Sequence, residues 1–267
     1  MAMIVDVKFS PNGRVYRYDR GDFITLKKGD SIIVEYNDCK EWADVCDVRQ
    51  DDKKIPMYSG NILRLITPDD QKQKKESEKK SQNAYPKVLE SIKKFELLMK
   101  LVEVKYSFDC TKLFISYIAE NRVDFRELVK HLASIFKTRV ELRQISTREE
   151  ARLYGGCGPC GKELCCQRFS NETKQVTIKM AKTQGLALSP SKINGVCGKL
   201  LCCLAYEYPE YQEVLDKMPA LGENVKTSKG EGVVIFQDLL NEKITIKIGD
   251  DDDFKNEDIK LDEIIKD

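Results

Sequence analysis

Cysteine spacing constrains this chain more than any other feature. Gly158-Pro159-Cys160-Gly161-Lys162-Glu163-Leu164-Cys165-Cys166 recurs as Gly195-Val196-Cys197-Gly198-Lys199-Leu200-Leu201-Cys202-Cys203, and an aromatic, Phe169 or Tyr206, follows each copy three positions on. A repeated Cys-Gly-Lys-x-Leu-Cys-Cys unit reads as a duplicated structural element. Each copy offers a Cys-x4-Cys pair, and two pairs supply the four thiolates that a cubane cluster or a tetrahedral zinc requires. Residues five apart in a helix sit about 140° apart around the axis, so Cys160 and Cys165 cannot share a helical face. A loop must bring them together, and Gly161 and Gly198 permit the turn.

Two homologous sulfur-donating loops are therefore expected to meet around one metal pocket. Glycines beside the first cysteine leave backbone N–H groups to donate to ligand sulfurs, and Lys162 and Lys199 can offset thiolate charge or simply stay solvated. Neighbouring cysteines diverge by about 100° in a helix, so Cys165 and Cys202 are expected to turn toward the metal. Cys166 and Cys203 then face the core, a partner or a second cluster. Cys39, Cys46 and Cys110, read as lying within strands, are expected to pack. Structural zinc favours Cys-x2-Cys knuckles, and plant-type ferredoxins use a Cys-x4-Cys element, so spacing alone leaves zinc and iron–sulfur both open. The single histidine, His131, falls on the polar side of an expected helix, which argues against a Ser-His-Asp or histidine-rich zinc site.

Ten cysteines in a chain whose first residues carry Asp6, Lys8, Arg14 and Arg17, with no apolar leader, point to a reducing compartment and to metal or redox chemistry rather than disulfides. No stretch approaches the roughly 18 apolar residues of a membrane span, so a cytoplasmic protein is expected. A formal net charge of +1 removes weight from uniform phosphate tracking. Cys157-Gly158-Pro159-Cys160 matches the thioredoxin tetrapeptide, yet it follows Gly155-Gly156 within a denser cysteine cluster. The second copy has Asn194 at the position of Cys157. A thiol oxidoreductase is thus the weaker reading.

Along the chain, Ile4–Phe9, Arg14–Tyr18, Ser31–Tyr36 and Trp42–Val48 read as strands separated by turn residues. The run from Gln71 to Lys80 is polar all round and reads as a linker or solvated helix. Val88, Leu89, Ile92, Phe95 and Leu98 then recur at helical spacing. Leu101–Phe108 and Lys112–Ala119 suggest a hairpin, residues 124–136 an amphipathic helix, and Arg139–Ile145 a third strand, giving a helix packed on an antiparallel sheet. Gly232–Phe236 and Ile244–Ile248 suggest a further hairpin, ending in the acidic run Asp250–Asp253. The expected fold class is α+β and multi-domain, with small antiparallel barrel-like modules flanking a β-β-α-β domain with a cysteine-rich region. The divisions fall at 1–67 (β-rich), 68–99 (charged helical linker), 100–212 (duplicated cysteine unit) and 213–267 (SH3-like β module with an acidic tail).

The stretch Gly155–Phe169, with Ile178–Lys182, Leu188–Ile193 and Asn194–Tyr208, resembles the YaaT (RicT) family of stage 0 sporulation proteins, which carry a PSP-type C-terminal domain. That resemblance implies a non-enzymatic regulatory or adaptor subunit. It would associate with two small helical proteins of the YlbF and YmcA type, carry 4Fe-4S clusters, and promote RNA processing by RNase Y, influencing sporulation, competence and biofilm formation. By position, Cys160, Cys165, Cys197 and Cys202 match the family's ligand-bearing unit, and Cys166 can reach a cluster shared with partners. Cys157 departs from the family pattern. The competing reading is a zinc-stabilised nucleic-acid-binding protein.

Overall fold

The protein is described by a computed structural model over residues 3–50, 60–169, 174–228, 230–250 and 253–265. It divides into two compact units, Met1–Thr173 and Lys174–Asp267. The fold is mixed α/β with several antiparallel sheets, and no sheet closes into a barrel among the described residues.

The first unit opens with β1 (Met3–Lys8), β2 (Val15–Asp19), β3 (Ser31–Tyr36), β4 (Cys39–Gln50) and β5 (Ile62–Leu65), ordered β2-β1-β4-β3-β5 in one sheet whose pairings are antiparallel. Alternating apolar residues put Val5, Val7, Ile32, Val34, Ala43 and Val45 into one core. The strand β5 escapes the sequence reading because it is four residues long and only Ile62 is buried.

The charged segment is one long helix, α1 (Pro68–Lys94), which continues through Pro86. Its polar half is not merely solvated. Ser77, Ala84, Val88 and Ile92 form a buried stripe at helical spacing. The Gln73 amide donates to the Phe108 carbonyl (3.0 Å), and the Ser81 hydroxyl oxygen accepts the Tyr106 N–H (2.9 Å). These polar side chains satisfy backbone groups at the end of the neighbouring strand, and just beyond it, that an apolar stripe would leave bare. The helix stops at Lys94, where Glu96 turns the chain with φ +51°, so Leu98 falls outside it and is 91% exposed.

Next come β6 (Lys100–Tyr106), β7 (Lys112–Ile118), α2 (Arg126–Phe136) and β8 (Arg139–Gln144), in the strand order β6-β7-β8. The expected all-antiparallel sheet is corrected here. The pair β6–β7 is antiparallel, but β8 runs parallel to β7, because α2 carries the chain back across the sheet before β8 begins. Leu128 and Leu132 of α2 and Val88 and Ile92 of α1 meet Val104, Leu113 and Ile115 on one face of this sheet. His131 is half-buried with its ring edge-on to Phe95, at 5.3 Å. Trp42 packs near Phe108, under the Lys74 ammonium at 4.2 Å from its ring centroid. A short helix, α3 (Thr147–Tyr154), follows with a Ser146–Glu149 capping box, and then α4 (Cys165–Arg168).

The second unit holds α5 (Ile178–Thr183), α6 (Pro190–Ile193) and α7 (Cys203–Leu215), packed around Ala181, Ile193 and Leu204. It also holds the sheet β9 (Asn224–Thr227), β10 (Gly230–Asp238), β11 (Lys243–Asp250) and β12 (Asp253–Lys260). The expected hairpin is β10–β11. The acidic run is not a tail: Asp250 pairs with Asp253 across the β11–β12 hairpin, with Asp251 and Asp252 lying outside the described residues.

Asp70 pins the start of α1. Its carboxylate accepts from both terminal nitrogens of Arg64 and from the backbone N–H and hydroxyl of Thr67. The Arg64 hydrogen bonds, aided by those from Thr67 and opposed by burial, hold this carboxyl far below the usual carboxylate range. The folded state therefore binds fewer protons than the unfolded one, and the contribution is full above the unfolded carboxyl's value and drains away as pH falls below about 4. Asp70→Asn should cost about 1–2 kcal/mol near neutral pH, Arg64 being half-exposed. The gap to the parent should narrow on acidification in denaturant titrations, and a pH-independent gap would contradict this assignment.

Candidate metal centre

Both cysteine units fold into the same object, hydrogen bond for hydrogen bond. In the first, the Gly158 N–H donates to the Lys162 carbonyl (2.8 Å) and the Gly161 N–H to the Gly158 carbonyl (3.0 Å). In the second, the Gly195 N–H donates to Lys199 (2.9 Å) and the Gly198 N–H to Gly195 (2.9 Å). Short bridges close both ends, Cys157 with Glu163 and Asn194 with Leu200. One residue further out, the Leu164 N–H reaches the Gly156 carbonyl and the Leu201 N–H reaches Ile193. This is a three-residue hairpin loop whose last residue is left-handed, and Gly161 and Gly198 share φ +74°. Pro159 at the second turn position suits its fixed φ, and Val196 occupies the same place in the other copy.

The loop aims its thiol. A side chain at Gly158 would begin 3.5 Å from the Cys160 sulfur, and one at Gly195 would begin 3.8 Å from that of Cys197. In both copies the sulfur thus rests against the turn's own backbone. The chain then enters a helix at the cysteine doublet, four residues long at α4 and thirteen at α7.

Exposure sorts the thiols. Cys157 and Cys160 are exposed, Cys165, Cys197, Cys202 and Cys203 are half-buried, and Cys166 is buried. Lys162 and Lys199 are exposed. The remaining cysteines differ in kind. Burial pushes the Cys39 thiol up to about 12, and burial raises Cys46 as well, so both stay protonated. Cys110 lies in the turn between β6 and β7, at φ +55°, rather than inside a strand as expected, with the Lys80 ammonium 3.8 Å from its sulfur.

The first loop is anchored to its unit by a contact that sequence spacing does not reveal. The Asn12 amide donates to the Leu153 carbonyl (3.1 Å), and Gln167 donates to the Asn12 side-chain oxygen (2.7 Å). The second is seated by Leu200 and Leu201 on the core of Ala181, Ile193 and Leu204. The first copy belongs to Met1–Thr173 and the second to Lys174–Asp267. Among the described residues no three His, Cys, Asp or Glu side chains gather closely enough to hold a metal ion. The donor chemistry suits thiophilic iron or zinc, and each loop by itself supplies only part of a coordination shell. No helix among the described residues is long and apolar enough to cross a membrane.

Comparisons with known proteins place this geometry in context. Residues 60–145 match the family model described as the PSP1 C-terminal conserved region, and residues 175–218 match the PSP1-like protein, third domain. The stage 0 sporulation protein YaaT of Bacillus subtilis is 38% identical over 250 residues, covering 93% of this chain and 90% of the relative. An uncharacterized protein of Schizosaccharomyces pombe is 27% identical over 99 residues, 37% of this chain and 13% of that one. No solved structure matches.

The turn glycines give a direct check on the loop. Gly161→Ala and Gly198→Ala should each destabilise their loop by about 1–2 kcal/mol, because an L side chain at φ +74° meets its own carbonyl. Gly158→Ala, where no left-handed backbone is required and the added carbon makes an ordinary contact, should be nearly neutral. Equal losses in chemical denaturation for Gly158→Ala and Gly161→Ala would refute the turn assignment.

Proposed function

Because this chain belongs to the YaaT family of stage 0 sporulation proteins, we propose that it is a non-catalytic, sporulation-related regulatory subunit that holds an iron–sulfur cluster through its duplicated loops. The observation that carries this reading is the repeated hairpin. Two loops of one design, each closed by a left-handed glycine, carry the thiols Cys160, Cys165, Cys197 and Cys202, none of them in a disulfide. A loop built twice to the same hydrogen-bond pattern around its cysteines supports one shared role for those sulfurs.

Cys160, Cys165, Cys197 and Cys202 are the proposed ligands, and Cys166 the thiol for a cluster shared with partners. The incomplete donor set of each loop supports completion by sulfur from other subunits, for which small helical proteins of the YlbF and YmcA type are the proposed source. A 4Fe-4S cluster, when bound, supplies a redox-sensitive centre. The loop backbones fix the sulfurs, and Lys162 and Lys199 lie exposed on the turns where their charge opposes that of the thiolates. In this reading the chain is a cytoplasmic adaptor that directs RNA processing by RNase Y and through it affects sporulation, competence and biofilm development.

One observation favours zinc as the other occupant. Cys157 and Cys160 share the hairpin turn at the Cys-x2-Cys spacing of structural zinc knuckles. Anaerobic co-purification with endogenous partners separates the two. Brown protein with iron and acid-labile sulfide supports the cluster, and colourless protein with stoichiometric zinc and no sulfide supports the knuckle. Cys160→Ser and Cys197→Ser should each lose most of the bound metal, and Cys39→Ser should retain it, its thiol being buried and protonated. Metal content unchanged in both ligand variants would show that other sulfurs do the holding.

A further inference from the structure

The first unit contains a second candidate site, remote in character from the cysteines. The face of the β6-β7-β8 sheet turned away from α1 and α2 lies opposite the N-terminal sheet, and a cavity of about 510 Å³ separates them. That volume lies within the range of small-ligand clefts. Its wall on the N-terminal side is a cluster of rings: Phe9, Tyr16 and Tyr36 touch one another with centroids 4.6–5.3 Å apart, and Phe114 faces Tyr36 at 6.4 Å from the opposite sheet.

Arginines stand at one end. Arg14, just before β2, and Arg143, in β8, both bind the same oxygen of Glu149, at 2.6 and 3.0 Å. A third guanidinium, from the buried Arg152, lies 3.7 Å from that oxygen. One carboxylate thus holds three cations, and two of them, with side chains 46% and 47% exposed, share one of its oxygens, each guanidinium having more N–H donors than that one contact uses. The other paired carboxylates of the lining are balanced, Glu41 by Lys105 (3.2 Å) and Glu141 by Lys112 (3.0 Å). Excess positive charge therefore concentrates at the arginine end. Two adjacent planar forks suit a dianionic terminal phosphate, and aromatic faces suit a planar heterocycle. Glu103, two residues along β6 from Lys105, adds an acceptor for an exocyclic amino group.

We propose that this cleft binds an amino-bearing nucleoside monophosphate, the phosphate held by Arg14 and Arg143 and the base laid against the Phe9–Tyr16–Tyr36 rings. The proposal does not rest on the metal reading, and its failure would leave that reading untouched.

Isothermal titration calorimetry of the full chain with AMP, adenosine and inorganic phosphate tests it. AMP should bind at least about tenfold more tightly than either fragment. Arg14→Gln and Arg143→Gln should each weaken AMP about tenfold while leaving adenosine unchanged. Arg126→Gln, an exposed arginine paired with Asp124 beside α2, should alter neither. Trp42 fluorescence checks that each variant remains folded. Equal affinity for AMP and adenosine, equal affinity for AMP and phosphate, unchanged AMP binding in both arginine variants, or no heat from AMP at millimolar concentration would each overturn the assignment.

Discussion

Parallel strands cannot be joined by a tight turn, and that constraint organises the whole first unit. To place β8 alongside β7 in the same direction, the chain must climb over the sheet, and α2 is the climb. The helix then occupies one face together with α1, sealing Val104, Leu113 and Ile115 between them. The opposite face cannot be covered by the same helices. It keeps the charged alternates Glu103, Lys105, Glu141 and Arg143 and meets the N-terminal sheet across a cleft. The cleft and the launch point of α3 toward the first cysteine loop thus follow from one crossover.

The cysteine loops obey a different logic, because everything that shapes them is local. Their hydrogen bonds span at most eight residues, and the left-handed glycine sits inside the span. A loop fixed by its own backbone can be copied into another setting without redesign, and the two settings differ. One loop leads into a single turn of helix tied to Asn12 through Gln167, and the other into a long helix seated on leucines. Identity of form with difference of surroundings is what makes the doublets unequal: Cys166 is buried and Cys203 only half so.

What the sequence disclosed follows the same division between local and distant causes. The turn glycines, the hairpins and most strands were legible because period and turn chemistry act over a few residues. The sense of β8 was not read, although the helix lying between two strands implies it. The packing of the first half of α1 was hidden because its inward-facing positions include Gln73, Ser77 and Ser81, residues that hydropathy reads as solvent-facing. Gln73 and Ser81 serve as hydrogen-bond partners of Phe108 and Tyr106 at the end of β6. Cys110 looked like a strand residue only because its neighbours are strands. Asn12 gave no local signal at all, since its partners Leu153 and Gln167 lie in another part of the chain.

The placement of the lone tryptophan has a practical corollary. Trp42 is nearly buried, donates its indole N–H to Asp44 at 2.9 Å, and lies beneath Lys74 of α1 and beside Phe108. Its emission therefore senses the junction where the N-terminal sheet, the long helix and the end of β6 come together. The unit from Lys174 onward contains no indole, so it is silent at that wavelength. The molecule carries an intrinsic optical gauge for one half of itself, and loosening of the other half would have to be followed through its tyrosines.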